Sequence, residues 1–464
     1  MNVDVAIIGS GLGGLSVALN LARTQRVVLL AKGSMSEGAS GPAGAPGRPE
    51  SRLRGAFGAV LLLRLLYPHF SSPLHHLFSD PQRHWDNGLQ FLHPSIMGSS
   101  DPFMYQLWLF LLTRLPDSGP LVETLTGVLC AAMPYGWYLA LRELVPLKRA
   151  LQGAILIGLV PGFLGIYAYF MNETLLLTLT GFAFWATFRA HRRRTTDAFA
   201  VACILWFAAG FTRSMALPAA LLCLGSLWVV QPQRALKALA GCACLLIFLV
   251  PAGLHGRENL HFFAPFGNPY LNHIYAISGA RDISIELGPQ GHYGFGCPSF
   301  YNPTFYPFSD WTTARTGTVA ITVATAAGRS DWLREEQRVR EERSFPRWRM
   351  DLEAAAYLAF GQAWPDNDRS TLLGWLTVWT RWLWPPLILL VAVGALRGVF
   401  RGIEWLLPLS ALGLIGYFVI QEQGIIEARF RKPLDPLFVA SAVVLTQRLS
   451  RRRYAAAVRG VESR

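Results

Sequence analysis

Charged residues are scarce in this sequence. Asp, Glu, Lys and Arg make up 15% of its 464 residues, and hydrophobic residues make up 52%. A soluble domain usually carries about 25% charged residues. The shortage of charge argues against an ordinary soluble domain and predicts a protein that lies in a lipid bilayer.

Acidic residues are the scarcer of the two charged classes, with 29 Asp and Glu against 42 Lys and Arg, which gives a net charge of +13. In a soluble protein this excess would suggest nucleic acid as a partner. In a membrane protein it is expected in the cytoplasmic loops, where Lys and Arg collect. We therefore expect the bilayer as the partner and no nucleic acid.

Cysteine is also sparse, with six residues in the whole chain. Five of them lie in apolar runs, and Cys297 has no evident partner on its own side of the membrane. The spacing predicts neither a disulfide framework nor a metal site.

Long apolar runs are the feature present in abundance. Several are shorter than the ~20 residues of an upright membrane helix. The run at 103–115 has about thirteen residues, which is more typical of an interfacial or re-entrant helix. The pattern predicts an all-α polytopic integral membrane protein of about ten transmembrane helices. The ten runs are 55–70, 119–141, 151–170, 174–188, 198–210, 214–230, 239–255, 372–396, 403–420 and 434–446.

Basic connections alternate along this series and predict the topology. If ten segments span, both termini are cytoplasmic in the cell membrane. Two long segments, 71–118 and 257–371, are then extracytoplasmic. The predicted parts are a first bundle at 55–256 that includes the outer loop 71–118, the outer segment 257–371, later spans at 372–448 and a basic tail at 449–464.

Residues 1–40 have a different pattern, which is strand, glycine turn, helix and strand. The turn reads GSGLGG at 9–14. In a dinucleotide-binding turn, Gly9 would allow the tight bend, Gly11 would let the backbone approach a pyrophosphate, and Gly14 would let helix pack closely on strand.

The amino-acid sequence of this segment, through KGSMSEGAS at 32–40, resembles the start of the L-aspartate oxidases, in the succinate dehydrogenase/fumarate reductase flavoprotein family. Nothing after Ser40 continues the resemblance, and a Gly/Pro-rich linker follows at 41–54. A single βαβ unit cannot bury its own sheet. We therefore expect a vestigial remnant, from a gene fusion or a sequence artefact, that does not bind FAD. Alternatively, the apolar run 5–22 is a signal anchor.

Three short motifs farther along resemble those of the GT-C superfamily of membrane glycosyltransferases, which includes family 39 and the lipid A aminoarabinose transferases. They read SDPQRHWDNG at 79–88, YFMNE at 169–173 and EARFRKPLDP at 427–436. The resemblance implies transfer of a sugar from a polyprenyl-phosphate donor, usually with inversion, to an acceptor glycan, lipid or protein on the outer face.

Inverting transfer needs a carboxylate base and positive charge near the departing phosphate. Asp80 is the candidate base, and Arg83 and His84 follow on the same helical face. The alternative for Asp80 is a helix N-cap, because Asp-Pro is a typical helix start. Asp86 is a further candidate.

The remaining candidates lie in or beside the apolar runs. Glu173 and Arg64 are candidate site residues, although a carboxylate at a helix start also favours the helix dipole and an Arg in a span also snorkels. The candidates for donor phosphate binding are Arg213, Arg429, Arg431 and Lys432.

Together these patterns predict a polyprenyl-phosphate-dependent glycosyltransferase that requires no cofactor and whose use of a divalent metal is open. Two alternatives remain. One is a multi-spanning transporter or lipid flippase, which would also place Arg and Glu within spans. The other is a membrane-fused flavoprotein related to L-aspartate oxidase.

Overall fold

The computed structural model divides the chain into two compact units, Met1–Arg52 and Leu53–Arg464. Each is described by itself. The residues that the structure describes are 5–8, 27–30, 48–116, 118–230, 233–267, 282–288, 291–295, 318–322, 325–341, 348, 355, 358, 365–366, 369–421 and 428–462.

The first unit contains the two strands expected from the sequence. Strand β1 is Val5–Ile8 and strand β2 is Val27–Leu30. They pair in parallel, with Val5 opposite Val27 and Ile8 opposite Leu30. Parallel neighbours need a crossover connection between them. Here the intervening residues are 9–26, which carry the glycine turn.

The linker predicted at 41–54 is shorter than expected. Helix α1, Arg48–Phe70, begins inside it. Pro49 is the second residue of this helix, and proline is tolerated in a first turn because the N–H groups there have no helical partner. Part of the Gly/Pro-rich segment that was predicted as a linker is therefore the first turn of a helix.

The second unit is mainly helical. Each of the ten predicted apolar runs falls largely within helix. The helices of the first part are α2 Ser79–Leu89, α3 Ile96–Ser100, α4 Phe103–Thr113, α5 Ser118–Leu144, α6 Leu147–Leu159, α7 Pro161–Gly165, α8 Asn172–Arg193, α9 Thr196–Thr212, α10 Leu217–Val230 and α11 Arg234–Leu260.

The later part contains a small sheet and five further helices. Strand β3 pairs antiparallel with β4 and parallel with β5. The elements are β3 Asp282–Gly288, β4 Gly291–Phe295, β5 Thr318–Thr322, α12 Ala326–Glu341, α13 Leu372–Thr380, α14 Trp384–Leu396, α15 Leu406–Gln421 and α16 Asp435–Glu462.

Length and composition identify three helical segments in the described residues that could cross a membrane. They are Gly119–Leu144, Arg234–Leu260 and Leu372–Leu396. Helices α6 and α7 would add a fourth if counted together, although they bend by 68° at their junction. The count of ten spans stays a prediction, as does the interfacial position of α4.

Two glycines allow helices α5 and α8 to cross closely. A Cβ on Gly136 of α5 would lie 3.0 Å from the backbone nitrogen of Phe182, and one on Gly181 of α8 would lie 2.9 Å from that of Trp137. The two backbones therefore touch where both residues lack a side chain. Such small-residue contacts are typical of helix packing in membranes.

Candidate functional site

A buried network of polar side chains fills the segment 79–106, and its centre is Asp101. The Asp101 carboxylate accepts hydrogen bonds from Arg83 Nε at 3.0 Å and from Asn87 Nδ2 at 2.7 Å. His84 Nδ1 lies 3.5 Å away. Burial alone would raise the pKa of Asp101, but Arg83 and the His84 ring outweigh it and hold that pKa below its ordinary value.

Asp80 lies at the edge of this network. Helix α2 begins at Ser79, and the residue at its N-cap position is Phe78, so Asp80 lies inside the first turn and not at the N-cap. The Asp80 carboxylate instead accepts from Arg83 Nη1 at 2.5 Å. The helix thus starts two residues earlier than the Asp-Pro pattern indicates, and the preceding residue, Ser79, has positive φ.

The other candidates of this segment are also held by neighbours. The predicted proximity of Asp80, Arg83 and His84 is present, since all three lie on α2. Asp86 accepts from Gln82 Nε2 at 2.9 Å, one turn earlier on the same helix. Arg83 thus bridges two carboxylates, which fits a role in holding α2 against Asp101.

Arg64 is fully buried in α1, and each guanidinium nitrogen donates to a backbone carbonyl. Nε donates to Cys130 at 2.8 Å, Nη1 to Gly158 at 2.9 Å and Nη2 to Phe163 at 2.6 Å. The Cys130 carbonyl lacks its helical partner because Pro134 has no N–H.

The other two carbonyls flank the bend between α6 and α7, where Pro161 interrupts the helix. Broken helices leave carbonyls that water cannot reach inside a bilayer. Arg64 satisfies these groups, which is a structural reason for a charge in an apolar run.

A second polar cluster joins α8, the end of α9 and the start of α16. Glu173, fully buried, pairs with Arg213, which also donates to Asn172 Oδ1 at 3.1 Å. The Arg213 guanidinium carbon lies 4.4 Å from the ring centroid of Phe430. The structure therefore brings Glu173 and Arg213 together with the segment around Arg431.

The residues after Phe430 continue the cluster. Arg431 donates to Asp435 Oδ2 at 3.2 Å and to the Leu358 carbonyl at 3.0 Å. Lys432 pairs with Asp366. Burial raises the pKa of Asp366 above its ordinary value, more than Lys432 lowers it.

Arg429 lies in the turn Ala428–Arg431, and its side chain is outside the described residues. The described cluster contains three carboxylates, Glu173, Asp366 and Asp435, and three cations, Arg213, Arg431 and Lys432. Each cation is paired with one of these acids. The positive charge that indicated a phosphate site in the sequence is thus offset by buried acids.

Three of these acids were missed as partners by the sequence interpretation, namely Asp101, Asp366 and Asp435. Two of them, Asp101 and Asp435, precede a proline in the sequence, but that pattern does not identify their partners. Asp366 carries no such pattern. Among the described residues no group of three or more His, Cys, Asp or Glu is arranged to hold a metal ion.

The glycines of the N-terminal turn, Gly9, Gly11 and Gly14, lie outside the described residues, as does Cys297. The strands on either side are described, and their parallel pairing brings the start of the turn to the carboxyl end of β1. In open parallel sheets that end is where nucleotides bind.

Comparison with known proteins gives two matches, both at this end of the chain. A family model described as the FAD binding domain matches residues 4–57. L-aspartate oxidase 1 of Ralstonia nicotianae is 60% identical over 40 residues, which are 9% of this chain and 8% of that protein. The chain thus spans about 8% of the length of the curated relative that it matches.

These matches correct three predictions. The glycosyltransferase function, the enzyme class derived from it and the expectation that FAD is not bound are overturned by the similarity to the FAD binding domain. The motifs that suggested a glycosyltransferase were short. Among their described residues, Arg83, Glu173, Arg431 and Lys432 each form an ion pair within the protein. The resemblance of the N-terminal segment to the start of L-aspartate oxidase is confirmed, and the chain is similar there to FAD-binding flavoproteins.

Proposed function

We propose that this chain is a membrane-attached flavoprotein, an FAD-dependent oxidoreductase whose N-terminal segment holds the ADP part of the cofactor. The observation that carries the proposal is the similarity of residues 4–57 to the FAD binding domain. The 60% identity to an L-aspartate oxidase over 40 residues supports the same cofactor.

The backbone of the first unit fits the ADP part of a dinucleotide. Strands β1 and β2 are parallel neighbours, and the GSGLGG turn leaves the carboxyl end of β1. In this arrangement Gly11 would let the turn's N–H groups approach the pyrophosphate, which needs no charged side chain. When bound, FAD supplies the two-electron acceptor for oxidation of a substrate. L-aspartate is the first substrate to test, because the relative's name specifies it.

We also propose that the helices of the second unit span the cell membrane, with the bilayer as their partner. The three helical segments of spanning length and the alternation of basic connections support this placement. Both termini would then be cytoplasmic, where the N-terminal segment would meet FAD.

The flavin proposal is tested on the full chain purified in detergent. We expect the two-band visible absorption of oxidised flavin and FAD in the denatured supernatant. Gly11→Val should abolish both, because its side chain would occupy the space of the pyrophosphate. Gly44→Val, in the predicted linker, is the matched control and should retain FAD. A colourless protein after reconstitution with added FAD would refute the proposal.

The membrane placement is tested separately by alkaline phosphatase fusions, which are active only outside the cytoplasm. Fusions after Gly88 and Ser309 should be active, and fusions after Arg194 and Arg453 should be inactive. Activity after Arg194 would contradict the proposed count of spans.

A further inference from the structure

An apolar cleft lies in the second unit between α6, α14 and α16, and no charged residue of either polar cluster lines it. Its volume is about 660 Å³. That is within the ~300–1,000 Å³ of typical ligand pockets. Its walls include Leu156, Trp384, Leu387 and Val443. The cleft suits an occupant whose surface is almost entirely hydrocarbon.

One end of the cleft is polar and positively charged. Among the described residues that line it, Arg149 is the only charged one, and Gln152 lies beside it. Lys148 precedes Arg149 in the sequence. Glu143, the acid at the end of α5 just before α6, is already paired with Arg192 at 2.9 Å. The end at Arg149 thus favours a negatively charged group.

The length of the cleft matches one leaflet of a bilayer. Arg149 lies near the start of α6, and Val160, at its end, lines the cleft too. Eleven residues of helix extend about 16 Å. The hydrocarbon core is about 30 Å thick, so one leaflet is about half of that. The bend of 68° at Val160 and Pro161 turns the chain aside where the α6 wall ends.

The cleft also opens to the surroundings of the protein. Leu156 is 56% exposed and Leu383 is 64% exposed, although both border the cleft. The opposite wall is rigid, since Trp384 is buried and Arg431 lies 5.6 Å from its ring centroid. An acyl chain could therefore enter sideways from the membrane.

We propose that this cleft binds one anionic glycerophospholipid, with an acyl chain along α6 and the headgroup phosphate on Arg149. The proposal rests on the membrane placement proposed above and is independent of FAD. A guanidinium suits phosphate oxygens because its planar donors match their geometry.

The test uses the full chain in nanodiscs that contain phosphatidylcholine and a trace of phosphatidylglycerol with a photoactivatable group midway along one acyl chain. Cross-links should concentrate on peptides of α6 and α16. Arg149→Gln should reduce the yield about 5-fold, the effect of one basic residue near an anionic lipid. Arg142→Gln, in the same connection but outside the cleft lining, is the matched control and should leave it unchanged.

A second variant removes the space instead of the charge. Ala442→Trp should fill the cleft and abolish the cross-links, whereas Leu239→Trp, on the exposed face of α11, should not. If Ala442→Trp fails to fold, Arg149→Gln still decides the question. Cross-links spread evenly over all helices, or an equal yield from a phosphatidylcholine probe, would overturn the proposal. Cross-links between two copies of this chain through α6 would show a protein occupant and would also overturn it.

Membrane placement has its own readout. Protein that stays in carbonate-washed membranes but shows no cleft cross-links refutes the cleft alone. Protein released by the wash refutes both proposals.

Discussion

The two units of this chain differ in how they use backbone and side chains. In the first, similarity to FAD-binding proteins coincides with two short parallel strands and a glycine turn, and the chemistry expected there depends on backbone N–H groups. In the second, buried charges and their partners hold broken helices together. The contrast teaches that a buried charge in an apolar helix can serve to satisfy backbone carbonyls at a helix break. A charged residue in an apolar run is therefore weak evidence for a catalytic site.

Deletion of residues 2–40 is the strongest test of the difference between the two units. We expect it to remove all bound FAD while the remaining chain still enters membranes, because the described core of the second unit lies within 53–464. Flavin absorption and the carbonate-washed membrane fraction measure the two effects. Retention of FAD by the shortened chain would show that the cofactor binds elsewhere.

Arg64→Met tests whether the second unit depends on one buried guanidinium. It removes donors from three buried carbonyls at once. A buried group left without a partner costs about 1–3 kcal/mol, so a loss of at least ~3 kcal/mol is expected. Thermal unfolding in detergent measures it, and FAD binding by the folded fraction should persist. Arg397→Met, at an exposed position, should leave the melting temperature unchanged.

Asp101→Asn tests the polar network of residues 79–106, whose centre is Asp101. It weakens the acceptor for Arg83 and Asn87, and we expect a loss of about 1–3 kcal/mol at neutral pH. Asp86→Asn, whose carboxylate accepts from Gln82 of the same helix, is the matched control and should cost less than about 1 kcal/mol.

The pH dependence of the same variant sharpens the assignment. The pKa of Asp101 is lower in the folded protein than its ordinary value near 3.9. The ionised Asp101 carboxylate therefore contributes its full share of the folding stability above about pH 4. That share is lost as the pH falls through the pKa of Asp101 in the folded protein. The free energy of unfolding should therefore fall less between neutral and acidic pH for Asp101→Asn than for the unchanged protein. Parallel curves would show that Asp101 does not stabilise the network by its charge.

Asp80→Asn should have the smallest effect. Asp80 lies at the edge of the network and pairs with Arg83, which keeps its contact with Asp101 when Asp80 is replaced. A partly exposed ion pair contributes about 0.2–1 kcal/mol. A melting temperature as strongly reduced as that of Asp101→Asn would place Asp80 at the centre instead.

The sequence by itself determined the features that depend on neighbouring residues. Strands β1 and β2 and the glycine turn were predicted because apolar runs of strand length flank the turn. The apolar runs were predicted as helices because their length and composition are local properties. Local reasoning failed at helix starts, where Pro49 and Pro81 lie inside first turns that begin earlier than expected.

Only the tertiary structure decided the partners of the buried charges. Arg64 reaches carbonyls 66, 94 and 99 residues away, and Lys432 reaches an acid 66 residues away. No local pattern encodes these pairs, because helix packing brings together carbonyls that proline and helix breaks have left without partners. The sequence therefore showed that charges lie in apolar surroundings, and the packing determined which groups they satisfy.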